Sequence, residues 1–485
     1  MRVPLKLRSS TVAAAGLVTL VGPLLPAAAA GPLLEAVKAG DTAAARELLA
    51  ERADANDADA DGTTALHWAI HGNELELASL LLDAGANAGV ANRYGVPPIY
   101  LAAENGNAPL VRALLEHGAD ANAALPEGET ALMTAARTGD VATLEALLQA
   151  GADPNARESW KGQTALMWAA AENNAAALTT LLVAGAERDA VSRGGEFTAL
   201  TFAVRHGAID ATRVLLDAGA DVDATLTDGT SLLVLAVTNA HYELAAVLLA
   251  AGADANAAAQ GWTALHQIAW SRRWNMGFNS PGPAQTGNLD SLELVRKLVA
   301  AGADVDARVT KEPIDGNRNK LNRIGATPFL LAAKACDVPL MRVLLEQGAD
   351  PALTTDEGTT PLMAAAGVGI WAPGENPGTH EEALAAVTLA YEVGGGAVDA
   401  VNANGETALH GAVYRGGAIP VIEFLTARGA RLDAVNALGW MPVTVADGVE
   451  YTPAVLKRYP EAAALLRRLM AEQGLPIPAS TQPGR

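Results

Sequence analysis

The chain holds one cysteine, Cys336, in 485 residues. That excludes an intramolecular disulfide, a cysteine-rich zinc cluster and C-x-x-C-H haem attachment. Aromatic side chains are also scarce, at 4% (5 Phe, 7 Tyr and 8 Trp), although half of all residues are hydrophobic. Small aliphatic side chains, chiefly Ala and Leu, must therefore do the packing. Basic residues number 34 against 54 acidic ones, for a formal net charge of −20. Binding to a phosphate backbone draws on clustered Lys and Arg, so no nucleic-acid partner is expected. The apolar content excludes a wholly disordered chain. Past residue 30, no apolar run reaches the ~18 residues that read as a membrane span. At about 150 residues per domain, length alone suggests three domains.

The start of the chain reads as an address. Arg2, Lys6 and Arg8 come first, Thr11 to Leu25 is apolar, and Ala27-Ala28-Ala29-Ala30 follows. This is the three-part layout of a secretory signal peptide, with cleavage near Ala29 or Ala30. An uncleaved anchor is the rival reading, and Pro23, Pro26 and the alanine tract weigh against it. No cysteine follows the run, which excludes a lipoprotein anchor, and no arginine pair precedes it to make a twin-arginine signal. Removing three positive charges and no acids takes the net charge from −20 to −23. The mature chain is expected to be exported, periplasmic or secreted, with no membrane insertion after cleavage. The alanine-rich style of the signal is bacterial.

What the chain has in abundance is repetition. Gly62-Thr63-Thr64-Ala65-Leu66-His67, Gly128-Glu129-Thr130-Ala131-Leu132-Met133 and Gly405-Glu406-Thr407-Ala408-Leu409-His410 are versions of one phrase. Its apolar position falls at Leu66, Ile99, Leu132, Leu166, Leu200, Leu232, Leu265, Phe329, Leu362, Leu409 and Val443. The spacings are 33, 33, 34, 34, 32, 33, 64, 33, 47 and 34, so two intervals carry insertions. Thr before Ala-Leu is a helix N-cap, its hydroxyl accepting from an orphan backbone N–H. A short Ala-rich helix follows, and then a second with Leu pairs such as Leu81-Leu82 and Leu147-Leu148. The second helix stops at Gly-Ala-Asp or Gly-Ala-Asn (Gly85, Gly118, Gly151, Gly219, Gly252, Gly302, Gly348), where glycine takes the left-handed conformation. An Asp/Asn/Gly-rich tight turn leads to the next Thr. One such unit cannot bury its own apolar face, so stability comes from stacking, and three domains become one continuous stack.

These residues resemble ankyrin repeats. Thr64-Ala65-Leu66-His67, Thr263-Ala264-Leu265-His266 and Thr407-Ala408-Leu409-His410 are similar to that family's T-P-L-H motif with Ala for Pro. Thr360-Pro361-Leu362-Met363 keeps the proline and loses the histidine. The resemblance covers residues 31 to 470 and implies an all-α repeat solenoid. It consists of about twelve helix-turn-helix units including atypical caps, joined by short hairpin-like turns. A disordered tail, 471–485, is expected beyond it. The family's concave face, formed by turns and first helices, implies recognition positions at Tyr94, Trp160, Phe197, Arg205, Trp262, Trp270, Tyr414, Arg415 and Trp440. Trp68 and Trp168, inside first helices, are expected to pack between units.

Two insertions, near 270–289 and 367–380, separate the two helices of a unit and carry Trp270, Trp274, Phe278 and Trp371. A third, near 309–324, lies in a turn and gathers Arg308, Lys311, Arg318, Lys320 and Arg323 against Glu312 and Asp315. Long loops in compact domains are functional or disordered, and Trp, Tyr and Arg dominate interface energetics. The plain alternative is that the tryptophans plug gaps and the basic loop is solvated.

Other constellations read as structure. His67 and His71 stand four apart, a metal-capable spacing, but the repeat motif accounts for His67 and no metalloprotease Glu occupies position 68. Asp57, Asp59 and Asp61 begin like a calcium loop whose twelfth position is Trp68 rather than Glu. Cys336 reads as a small buried residue of a first helix. No catalytic residue, metal or cofactor site is expected. The expected function is a monomeric, non-catalytic scaffold binding another protein through the concave face and Trp-bearing loops. The alternatives are an accessory subunit of an exported enzyme complex, or a small-ligand or glycan receptor using the inserted loops.

Overall fold

The computed structural model describes residues 31–194, 197–273, 283–312, 321–370, 377–452 and 455–479; for 449–452 and 455–456 only the backbone is described. The signal segment and the tail end from 480 thus lie outside the described residues. Among the described residues, twenty-four helices run in chain order from Pro32–Lys38 to Pro460–Glu472. They group into two compact units, one ending at Ala220 and the other beginning at Asp221. Each is an all-α repeat solenoid built of antiparallel helix pairs.

Within each unit the first helix of a repeat packs on the first helix of the next, and second helices pack likewise. Alanine makes the first layer possible. Ala65, Ala69, Ala102, Ala103, Ala131, Ala135, Ala165 and Ala169 are fully buried, so neighbouring helices meet with little side chain between them. The second layer is leucine at helical spacing: Leu77 and Leu81, Leu110 and Leu114, Leu178 and Leu181 are buried. Hydroxyl caps open the first helices, with Thr130, Thr164, Thr327 and Thr360 accepting from the N–H three residues on. Glycines end the second helices, with φ between 85° and 96° at Gly85, Gly118, Gly151, Gly219, Gly252, Gly302 and Gly348. Backbone bridges Ala58–Thr64, Ala124–Thr130 and Thr225–Ser231 close the hairpin-like turns.

The final pair departs from this plan. Between Pro442–Asp447 and Pro460–Glu472 stands an antiparallel hairpin of Val449–Thr452 and Val455–Lys457, which stretches the repeat. Cys336 also stands elsewhere than expected. The helix ends at Lys334, and Cys336 sits in the turn behind it with φ of 53°. That turn position is left-handed in other repeats too, at Asn73, Gly106, Gly139 and Asn173. Cys336 is buried there nonetheless.

Polar side chains stitch repeat to repeat. Asn56 accepts the N–H of Asn87 at 2.7 Å and donates to the Gly85 carbonyl at 3.3 Å. Asn122, Asn155 and Asn256 do the same with Asp153 and Gly151, Glu187 and Gly185, and Asp304 and Gly302. Aspartate takes this place at Asp306, which accepts the N–H of Asp350 at 2.9 Å. A carboxylate has no donor to offer the neighbouring carbonyl. Desolvation raises the Asp306 pKa, with the Asp350 and Asp304 charges adding to it.

The motif histidines form a second stitch. His67, His266 and His410 receive the N–H of Thr64, Thr263 and Thr407 on Nδ1 at 3.2, 3.1 and 3.2 Å. With Nδ1 an acceptor, Nε2 carries the proton and donates to the carbonyls of Val96, Ala326 and Trp440 in the next turn. Burial lowers all three pKa values, that of His266 to about 4.

Two predictions follow from these stitches. Asp306→Asn supplies the missing donor and is expected to stabilise the protein by about 0.5–1 kcal/mol, raising the melting temperature by ~1–3 °C; an unchanged or lower midpoint in calorimetry refutes it. The histidines act on pH dependence. A histidine whose folded pKa lies below its unfolded value contributes stability that is complete above the unfolded pKa and is lost as pH falls through the folded one. The melting midpoint is therefore expected to drop between pH 6.5 and 4, with His266 contributing on the order of 3 kcal/mol. His266→Gln is expected to flatten that slope, as read by melts across the pH series.

Candidate functional site

In the unit ending at Ala220, the turns hold two aromatic rings out to solvent. Tyr94 is 68% exposed and Trp160 is 73% exposed. The Tyr94 turn is closed by Asn92, whose Oδ1 accepts from Tyr94 N and Val96 N at 3.0 and 3.1 Å. At the other turn the Glu158 carboxylate is buried and accepts from the backbone N–H groups of Trp160, Lys161 and Gln163 at 2.6 to 2.9 Å. These turns are bonded to their neighbours: Ser159 N donates to Glu127 O, and Arg193 N to Lys161 O. The Lys161 ammonium lies 4.7 Å from the centre of the Trp160 ring. An exposed indole on a rigid turn with a cation beside it is a surface for a partner to cover, because covering it removes apolar area without first ordering a loop.

Phe197 and Arg205 come together on the same unit. The guanidinium lies 5.6 Å from the Phe197 ring, which meets Phe202 edge to face at 5.7 Å. Both are half-buried. Trp68 and Trp168 are half-buried as well rather than enclosed between repeats. Their indole N–H groups donate to Asp59 and Gln163 of their own turns, at 2.9 and 3.1 Å.

In the unit beginning at Asp221, Trp262, Trp270 and Arg323 converge although 61 residues separate the first from the last. The two indoles meet edge to face at 5.5 Å, and the Arg323 guanidinium lies 5.5 Å from the Trp270 ring. Arg323 is 4% exposed, and Glu312 answers its charge at 2.7 Å while also accepting its backbone N–H. Trp262 Nε1 donates to Gln267, a helix residue that the sequence reading passed over. Trp270 stands in the last turn of the helix Ala264–Ser271, before the insertion rather than in it. The basic turn is thus partly knitted into the repeats. Lys311 donates to the Ala259 carbonyl at 2.6 Å, and Arg308 pairs with Asp356 at 3.1 Å.

Two expected recognition residues are not at the surface. Tyr414 is 5% exposed because its ring lies against the next turn, where its hydroxyl accepts from the buried Asn436 amide at 3.3 Å. Arg415 is equally buried, reaching the carbonyls of Pro377 and Lys334. Trp440 is half-buried, and its carbonyl receives the His410 stitch. Trp274, Phe278, Arg318, Lys320 and Trp371 lie outside the described residues.

The other constellations are engaged structurally. Both ring nitrogens of His67 are bonded within the repeats. Asp59 holds Lys38 and Trp68, and Asp61 caps Thr63. An open groove of roughly 340 Å³ lies along the second helices, lined by Val338, Arg342, Leu384, Ala385 and Leu389, and contains none of the aromatic candidates. Among the described residues no helix is long and apolar enough to cross a membrane.

Two family models agree with this construction. A model of three consecutive ankyrin repeats matches residues 13–92, 33–124, 73–158, 155–226 and 200–276. A single-repeat model matches 324–356 and 404–437. Among solved structures, the ankyrin repeat domain of human ASB11 aligns at 26% identity, covering 45% of this chain and 97% of its own, with a TM-score of 0.40. The comparison with curated proteins returned no match. The family models cover more than half of the chain, from residue 13 to 276 and over two later repeats, and the chain belongs to the ankyrin-repeat family.

Proposed function

We propose that this chain is an exported, non-catalytic scaffold that binds another protein through the turn tips and first-helix face of its repeats. Ankyrin repeats mediate protein–protein interaction in general, and stacked repeats offer extended binding surfaces. The observation that carries the reading here is the pair of exposed rings, Tyr94 and Trp160, in a chain with few aromatic residues and almost none to spare for the surface. Both rings are held on turns closed by buried or bonded side chains, so binding requires little ordering. The Trp262–Trp270 pair marks a second contact region, next to the inserted segment that continues with Trp274 and Phe278. Export rests on the charged, apolar and alanine-rich stretches of residues 1–30. A monomer with no nucleic-acid partner is consistent with the −20 charge.

The reading is tested by capture from native extract with the wild-type chain and with Tyr94→Ala/Trp160→Ala, followed by mass spectrometry and titration of the captured protein. The double variant is expected to keep its melting temperature and lose about 10-fold or more in affinity, as for truncated interface anchors. Equal binding by both chains sinks the turn-tip surface. Trp270→Ala is expected to lower the melting temperature instead, because it also strips the Arg323 guanidinium of its ring.

A further inference from the structure

Two arginines are buried among the described residues, and they are compensated very differently. Arg323 has a carboxylate at 2.7 Å and an indole face. Arg415, 5% exposed, has no carboxylate of the described residues within ion-pair distance. Its guanidinium meets two backbone carbonyls, of Pro377 and Lys334, each at 3.4 Å, and its Nε has no partner at all. Two of five N–H donors are thus engaged, both at the long end of hydrogen bonding.

The neighbours do not supply the missing negative charge. Burial lowers the Arg415 pKa and the Arg273 charge presses it further down, while Arg273's own charge is already answered by Glu382 at 2.8 Å. Arg272 is likewise matched by Asp337. The Cys336 thiol lies beside Arg415, but burial pushes its pKa up, so it stands there as a neutral thiol and not as a thiolate counterion. The guanidinium itself remains charged at any working pH. A buried, unpaired charge is among the most unfavourable arrangements a fold can hold.

The backbone next to this charge is also bare of side chains. Gly378 has φ of 108°, and a Cβ there would stand 3.0 Å from Cys336 Cβ, 3.2 Å from its Sγ and 3.7 Å from Arg415 Nη1. Beyond Gly378 the chain comes to the surface at Thr379 and His380, both exposed, with His380 Nε2 bonded to the Arg415 carbonyl. The charge therefore lies one residue deep behind an exposed rim.

We propose that Arg415, flanked by Arg273 and Cys336, is a binding site for a small oxyanion, a carboxylate or phosphate group whose oxygens take the free Nε edge. This site is independent of the protein-binding surface: it lies on other residues and needs no partner protein.

The single cysteine makes the site directly readable. The full chain is titrated with phosphate, and separately with acetate, at constant ionic strength made up with chloride. Binding is expected to raise the melting temperature saturably by about 3 °C. Over the same concentrations it is expected to slow alkylation of Cys336 by neutral iodoacetamide about 3-fold or more. Whichever anion acts at lower concentration identifies the group as carboxylate or phosphate. Arg415→Met keeps the length of the side chain and removes the charge. It is expected to melt higher than wild type in chloride alone and to ignore both anions. The proposal is overturned if neither anion changes the wild-type melt and thiol rate saturably, or if Arg415→Met still responds. It also falls if a folded Arg415→Met melts lower in chloride, since the two carbonyl bonds would then account for the arginine. Should that variant not fold, Arg415→Lys takes its place, keeping the charge but not the Nε edge, and is expected to lose the anion response of both the melt and the Cys336 alkylation; an unchanged response overturns the proposal.

Discussion

A single repeat of this chain has no core of its own, and everything else in the structure answers to that constraint. Its apolar face is covered by the next repeat or by nothing. Close approach of the first helices requires small side chains, hence the buried alanines at 65, 69, 131, 135, 165 and 169. Close approach also brings backbone polar groups of adjacent repeats together, where they must be paired rather than left dry. The asparagine stitches at 56, 122, 155 and 256 and the histidine stitches at 67, 266 and 410 meet that need. Each joins one repeat to a backbone group of the next. The same geometry explains why histidine appears within the repeat motif without titrating as a functional group. Its two nitrogens satisfy one donor and one acceptor, which only the neutral ring can do.

Scarcity of aromatic residues follows from the same packing and gives the exceptions their meaning. Where alanine faces alanine, a ring would force the helices apart. A few rings are enclosed all the same, Phe329 and Tyr242 among them, and the described tryptophans stand at the turns and on the outer side of the first helices. There rings are either folded back onto the repeat, as Trp262 and Trp270 are onto each other, or left standing, as Tyr94 and Trp160 are. Residue type does not distinguish the two fates. What decides is whether a partner sits within reach: Arg323 and Gln267 for the Trp262–Trp270 pair, and only the adjacent Lys161 for Trp160.

The fold was legible because its signals repeat. A Thr cap, an Ala-rich helix, a Leu pair and a left-handed glycine recur in phase, and each has a local cause readable from sequence. The hairpin at Val449–Thr452 and Val455–Lys457 occurs once, so no periodicity announced it. The turn at Cys336 has no such signal, because Gly and Asn advertise a left-handed residue and cysteine does not; a cysteine there is held by its neighbours rather than by preference. The site was half legible. Exposure at Tyr94 and Trp160 follows from turn position alone. Burial of Tyr414 depends on Asn436, and the convergence of Trp270 with Arg323 depends on how the inserted turn folds back. Both are tertiary facts without a local signature.

Charge tells a parallel story. In a chain of net charge −20 acids are plentiful, and four other buried or half-buried arginines find one: Arg323 finds Glu312, Arg272 finds Asp337, Arg273 finds Glu382 and Arg467 finds Asp447. Against that supply, an Arg415 unanswered among the described residues is not explained by a shortage of acids. The flanking turn offers glycine at 378 and a neutral thiol at 336 where a carboxylate would serve stability better. A site kept electrostatically incomplete among so many available acids is stabilised only when an anion from outside the chain enters it, so its incompleteness is itself the feature that selects for negative charge.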